Sequence, residues 1–210
     1  MKKMYKLAVF DIDGTLIDTE RTGVESLVKT IRELVGKEVP YEEAYKAYGI
    51  PSSKVGSLYG YEDGQKFLER WEENFQELFY LSKVFDGIPE VLAAIKAAGR
   101  TMGVFTSRSR FEYDKDTLTA PWKPDFKVVI CSEDSETHKP LPGPALAFLE
   151  RSGAKPSECI YLGDTLHDCS CAHGAGIDFA LVDWKGRGAQ NIPAEYHFTR
   201  PEQILSLLEV

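Results

Sequence analysis

Asp11 and Asp13 stand two residues apart in the run Asp11-Ile12-Asp13-Gly14-Thr15, directly after the apolar stretch Leu7-Ala8-Val9-Phe10. In extended backbone residues i and i+2 point the same way, so both carboxylates can face one site while Ile12 faces away. Two close carboxylates repel, and a divalent cation held by oxygen ligands is the usual remedy. The pair also lies where a buried strand opens into a loop, the edge at which open α/β sheets bind ligands.

Three later stretches repeat that placement. Thr106-Ser107 ends the apolar run Met102-Gly103-Val104-Phe105, Lys139-Pro140 follows a polar loop, and Gly163-Asp164-Thr165-Leu166-His167-Asp168 closes the run Ile160-Tyr161-Leu162. A lone Asp-x-Asp-Gly-Thr would be weak evidence of a site. Four such elements in order, spread over most of the chain, are strong evidence.

Together these motifs resemble the haloacid dehalogenase-like superfamily, in particular the branch of phosphoglycolate phosphatases and beta-phosphoglucomutases that carries a helical cap after the first motif. The resemblance runs from Tyr5 to about Trp184. It implies that Asp11 attacks phosphorus to give an aspartyl-phosphate, and that Asp13 protonates the departing alkoxide and then takes a proton from water. It implies Mg²⁺ held by the carboxylates of Asp11 and Asp164 and by the backbone carbonyl of Asp13, with Asp168 holding a metal-bound water or orienting Lys139. The Thr106 hydroxyl, the Ser107 N–H and the Lys139 ammonium would bind the transferring phosphoryl oxygens. Gly14 lets backbone approach phosphate closely, and Thr15 ties the loop internally.

Within that superfamily the residues favour one chemistry. Dehalogenating members lack the second aspartate, which is present here as Asp13. Phosphonate-cleaving members use a cap lysine, and Lys29, Lys46 and Lys54 lie in no such context. Mutases of the beta-phosphoglucomutase type carry a histidine in the first cap segment, whereas the first histidine here is His138. Hydrolysis of a small phosphorylated metabolite is therefore expected, phosphoglycolate-like or sugar-phosphate-like. A mutase, an inorganic pyrophosphatase and a non-catalytic phospho-ligand binder are the alternatives. The loop Tyr48-Gly49-Ile50-Pro51-Ser52 resembles the relatives' specificity loop, and Arg21, Lys54 and Arg108 are candidate partners for an anionic leaving group.

The elements that must position these groups follow from periodicity. Tyr5–Phe10, the Met102 run, Phe126–Cys131, Cys159–Leu162 and Ala180–Val182 read as strands. Helical spacing marks Thr19–Val35, Pro40–Tyr48, Tyr61–Leu81, a helix opened by Gly87-Ile88-Pro89 and closed by Gly99, Pro144–Ser152, Asp168–Ala175 and Ile204–Leu208. Alternating strands and helices predict an α/β fold, a doubly wound parallel sheet over residues 1–17 and 83–210. Residues 18–82 predict an all-helical cap set over the carboxylates, and their aromatic stripe Phe67, Trp71, Phe75 and Phe79 reads as its core.

Composition sets the outer bounds. The 210 residues are 43% hydrophobic, enough for a sizeable core, and carry a formal charge of -8. That balance argues against nucleic acid or an anionic membrane as partner. No apolar run reaches the roughly 18 residues of a membrane span, and the N-terminus lacks a signal-type apolar stretch, so a cytoplasmic monomer or homodimer is expected. Cys131, Cys159, Cys169 and Cys171 are expected as reduced thiols. His167, Cys169, Cys171 and His173 recur at every second residue, but on a helix their i, i+4 pairs fall on different faces, which disfavours a zinc site.

Overall fold

The computed structural model describes residues 3–48, 52–188 and 191–208. Its chain divides into an α/β unit, running up to Ile17 and on from Val84, and a helical unit from Asp18 to Lys83. Lys83, assigned by the sequence to the first of these, belongs to the second.

Six parallel strands build the α/β unit: β1 (Leu7–Phe10), β4 (Thr101–Phe105), β5 (Phe126–Ile130), β6 (Cys159–Gly163), β7 (Asp178–Val182) and β8 (Tyr196–Phe198). Their order is β5-β4-β1-β6-β7-β8. The register pairs Phe10 with Val104 on one side and with Leu162 on the other. β1 therefore has both faces and both edges covered, which is why it reads as an unbroken apolar run rather than an alternating one. Chain order reverses at β1, and the ends of β4, β1 and β6 lie side by side at the resulting switch point. Two crossing segments, β2 (Ile17–Asp18) and β3 (Lys83–Val84), pair as a separate ribbon.

The helices of this unit are α5 (Ile88–Ala97), α6 (Arg110–Lys115), α7 (Gly143–Ser152) and α8 (Leu166–Gly174). α7 packs on β4 and β5, and α8 on β6 and β7. Val9, Phe105, Phe148, Tyr161 and Phe179 are fully buried between them. Of the stretch Ile204–Leu208, expected to be helical, Ile204–Leu207 lie in a 3₁₀ segment, Pro201–Leu207, which Leu208 ends. Its Leu207 carbonyl accepts a hydrogen bond from Tyr5 N–H at 2.9 Å, so Tyr5 precedes rather than joins the strand.

The helical unit contains α1 (Glu20–Val35), α2 (Tyr41–Tyr48), α3 (Ser52–Leu58) and α4 (Gly64–Glu77). Gly36 ends α1 with φ 72°, the left-handed cap that glycine takes without a Cβ penalty. Val24, Leu27 and Ile31 on α1 share a buried core with Phe67 and Trp71 of α4. Trp71 Nε1 donates to Ser26 Oγ at 2.9 Å, so the indole's polar edge is satisfied inside that core. The helix expected over Tyr61–Leu81 starts later, where the Asp63 carboxylate caps Lys66 N–H at 3.0 Å, and it breaks before a 3₁₀ turn at Phe79–Leu81. α3 is short and carries a single fully buried apolar residue, Val55, too little for a periodic signal.

Gly103 sits on β4 where its pairing with β5 slips by one residue. A Cβ at this position would come within 2.4 Å of the Phe148 ring, which is itself fully buried. Gly103→Ala is expected to cost about 1–3 kcal/mol through overpacking, read as a lower urea midpoint at unchanged slope. A midpoint equal to the parent's would show that the core gives way freely.

Candidate active site

Asp11 follows the last residue of β1, and its N–H donates to the Leu162 carbonyl of β6 at 2.9 Å. The loop then turns on Gly14, whose φ is 78°. A Cβ there would lie 2.2 Å from Asp164 Oδ2, so the absence of a side chain at Gly14 is what lets the Asp164 carboxylate sit against the first loop. Asp164 follows β6, and Asp168 lies in the first turn of α8. There the Thr165 hydroxyl donates to Asp168 Oδ2 at 2.5 Å and accepts from Asp168 N–H at 3.2 Å, a reciprocal cap.

Lys139 joins these pieces. Its buried Nζ donates to Asp11 Oδ1 at 2.8 Å and to Asp168 Oδ1 at 2.7 Å. The ammonium lies beside the rings of Phe105 and Tyr161, 5.5 and 5.3 Å from their centroids, which stack 3.6 Å apart. The Tyr161 hydroxyl is within hydrogen-bond distance of the Phe105 carbonyl, 2.9 Å, and of Asp168 Oδ1, 3.2 Å. The Lys139–Pro140 peptide bond is cis.

Carboxylate oxygens of Asp11, Asp164 and Asp168 lie within 4.8 Å of one another. Three carboxylates against one ammonium leave a surplus of two negative charges when all are ionised. Burial above all, with the charges of Asp168 and Asp13 adding to it, pushes Asp11 up to about 7 despite Lys139. Burial likewise holds Asp164 well above the usual carboxylate range, and Asp164 Oδ1 is buried with no hydrogen-bond partner among the described residues. Burial would raise Asp168 too, but Lys139 and the Thr165 groups outweigh it and hold that carboxyl below its usual value. An unpartnered buried oxygen inside an all-carboxylate donor set fits a hard divalent cation, whose charge would cancel the surplus.

The remaining predicted residues fall in several places. Thr106 is buried after β4, with its N–H on the Ile130 carbonyl at 3.0 Å, and Ser107 is exposed beside it. The Asp13 carboxylate is absent from the three-carboxylate group, in which Asp168 stands instead; the ligand expected from Asp13 is its backbone carbonyl. Arg108, a candidate partner for an anionic leaving group, is buried against Asp13 and Asp116. Its fork geometry depends on contacts across the fold, which no local pattern signals. In the helical unit Arg21 is exposed, 3.9 Å from Glu25, and Lys54 is exposed on α3. Tyr48 is described only as the last residue of α2, and Gly49, Ile50 and Pro51 lie outside the described residues. All four cysteines are free and buried, and Cys169 Sγ lies 3.6 Å from His173 Nδ1, whose ring also reaches Glu195 at 3.0 Å.

Comparison with known proteins follows the same residues. A family profile described as haloacid dehalogenase-like hydrolase matches residues 8–182. The chain is 28% identical to the pyrophosphatase PpaX of Bacillus velezensis, over 96% of this chain and 94% of that protein. It is 28% identical to the N-acetylmuramic acid 6-phosphate phosphatase of Pseudomonas aeruginosa, over 100% and 97%. Among solved structures, a Lactobacillus plantarum protein provisionally assigned as a phosphoglycolate phosphatase has a TM-score of 0.86 at 24% identity, covering 98% of this chain and 100% of that one. The phosphate complex of CbbY from Rhodobacter sphaeroides has a TM-score of 0.78 at 20% identity, covering 99% and 100%.

Without a cation, Asp11 and Asp164 hold protons that the unfolded chain gives up near pH 4. The contribution of Asp11 to stability is therefore complete below about pH 4 and is lost as pH rises through about 7, and that of Asp164 is lost in the same direction. Using Mg²⁺ as the probe, the gain in melting temperature over EDTA is expected to be larger at about pH 8 than at about pH 6, since protons compete with the cation. Asp164→Asn should melt no lower than the parent in EDTA and gain nothing from Mg²⁺. Differential scanning fluorimetry reads both, and a parent indifferent to Mg²⁺ at the higher pH would remove the cation site.

Proposed function

We propose that this chain, which belongs to the haloacid dehalogenase-like hydrolase family, is a Mg²⁺-dependent phosphatase of small phosphorylated metabolites that works through an aspartyl-phosphate on Asp11. The observation that carries this reading is the Lys139 bridge, which brings Asp11 and Asp168 onto one ammonium within reach of the unpartnered oxygen of Asp164. A phosphate ester is an anion that an anionic nucleophile must approach, so neutralisation and positioning are most of the task. Asp11, Asp164 and Asp168 would hold the cation, which when bound offsets charge on the phosphoryl oxygens.

The chain's own groups supply the rest. An Asp11 carboxylate oxygen forms a bond to phosphorus as the bond from phosphorus to the leaving oxygen breaks, and Asp13 passes its proton to that oxygen. Water then attacks phosphorus, Asp13 takes the water's proton, and the phosphorus–oxygen bond to Asp11 breaks to release inorganic phosphate. The sum is ester plus water giving alcohol plus phosphate. Lys139 and Thr106 bind phosphoryl oxygens through both steps, and Asp168 keeps Lys139 aimed at them. The relatives' names point to pyrophosphate and sugar phosphates as the substrates to try beside phosphoglycolate.

The test is phosphate release from such a panel, with and without Mg²⁺. Asp11→Asn should lose on the order of 10³-fold or more with every substrate while keeping the parent's melting temperature within a few degrees. Asp13→Asn should lose roughly 10²–10⁴-fold on alkyl phosphates and much less on p-nitrophenyl phosphate, whose leaving group needs no proton. Turnover that survives Asp11→Asn would end the covalent mechanism.

A further inference from the structure

The Asp13 carboxylate is held by a mount that the reaction scheme above leaves unused. Arg108 Nε donates to Asp13 Oδ2 at 2.7 Å and Arg108 Nη2 donates to Asp13 Oδ1 at 2.6 Å, so both carboxylate oxygens lie on one edge of the guanidinium. On the other side Nη1 donates to Asp116 Oδ2 at 2.9 Å. Exposure falls steadily along this chain of charges: the side chain of Asp13 is 36% exposed, Arg108 7% and Asp116 1%.

The inner end is fixed. Asp116 caps the C-terminus of α6, its Oδ1 accepts Leu118 N–H at 2.7 Å, and its Oδ2 accepts the Thr119 hydroxyl at 2.7 Å. Arg108 stands just before that helix, whose start is set by the reciprocal Ser109–Glu112 cap. The Arg108 carbonyl accepts Ser132 N–H at 2.9 Å, and its N–H donates to Thr106 Oγ1 at 3.3 Å. The guanidinium is thus anchored at its backbone and at its far nitrogen, with the remaining edge presented to the partly exposed carboxylate.

We propose that Arg108, backed by Asp116, is a positioning residue for Asp13, which sets where the proton-transferring carboxylate rests relative to Asp11. The inference depends on the phosphatase reading for the step it serves. A partly exposed aspartate without this mount would sample its rotamers and turn from the negative charge of Asp11. The planar fork fixes both oxygens at once, a geometry that lysine cannot supply. Burial of Asp116 explains why the mount is an arginine rather than an open surface cation: removal of the guanidinium strands a buried carboxylate.

The test is a double-mutant cycle between positions 108 and 13, using Arg108→Lys so that the buried charge remains, with Asp116→Asn as a second variant. On an alkyl phosphate, Arg108→Lys is expected to lower kcat at least ~10-fold with KM within about twofold, and to add less than about twofold in the Asp13→Asn background. Asp116→Asn should act in the same direction, more weakly. Equal losses with and without Asp13, or a loss confined to KM, would overturn the proposal and make Arg108 a substrate ligand. The same cycle read by urea unfolding in EDTA is expected to give at least ~5-fold coupling between the two positions. Additive unfolding would overturn the pair itself. Wild-type protein inactive on every substrate would sink the phosphatase reading and the positioning role with it. Active wild type with an additive kinetic cycle would sink the positioning role alone.

Discussion

The ammonium of Lys139 is the point on which this site depends. It is buried, lies within 2.8 Å of two buried carboxylates, and rests beside two stacked aromatic rings. Taking such charges out of water is expensive, and removing one partner of a buried pair costs about 3–5 kcal/mol because the other is left uncompensated. The arrangement holds because each participant has further contacts. Asp168 Oδ2 is taken by the Thr165 hydroxyl and N–H, and the stacked rings of Phe105 and Tyr161 wall the ammonium in from one side. The two ion pairs thus tie the residue after β1 to the first turn of α8 through the loop that carries Lys139.

Sheet topology makes this concentration of charge possible, and glycine makes it fit. Reversal of chain order at β1 puts the loops after β1, β4 and β6 next to one another, so Asp11 and Asp164 meet across 153 residues of chain without any long-range pattern between them. Asp164 then occupies space that a Cβ at Gly14 would fill, and Asp168 packs 2.6 Å from where a Cβ at Gly163 would stand. Any side chain at either glycine competes directly with a carboxylate. Both glycines therefore serve the acids of the Gly163–Asp168 segment: Gly14 of the first loop makes room for Asp164, and Gly163 makes room for Asp168.

That also explains which features were legible in the sequence. Strand ends are readable because a fully covered parallel strand is a short apolar run, and the residue after it is by construction at the ligand-binding edge. Asp11, Thr106 and Asp164 were legible on that basis, as was α1 with its Gly36 stop. α6 and β8 were not. Six residues with a single buried position, Tyr113, carry no helical period, and Tyr196–Phe198 gains its strand character only from pairing with β7. The Arg108 ion pairs were not legible for a related reason. The neighbours Ser107 and Ser109 give the arginine the look of a polar loop residue, while its partner Asp13 is 95 positions away in sequence. A lone arginine is ordinarily a solvated charge, and nothing local shows that a carboxylate is waiting for it.

The two aspartates of the first motif thus receive opposite treatment from one loop. Asp11 is almost fully buried on a cation that is equally buried, whereas the Asp13 side chain keeps 36% of its exposure on a guanidinium whose depth lies behind it. As the nucleophile of the proposed reaction, Asp11 would benefit from immobility, because the reacting distance is then set before substrate arrives. In the proposed reaction the carboxylate that hands over a proton and takes one back needs access to the leaving oxygen and to water in turn, and a partly open side chain suits that role. The i, i+2 spacing that first marked the pair does more than aim two acids at one place. It lets a single strand end hold one of them rigid and leave the other partly open.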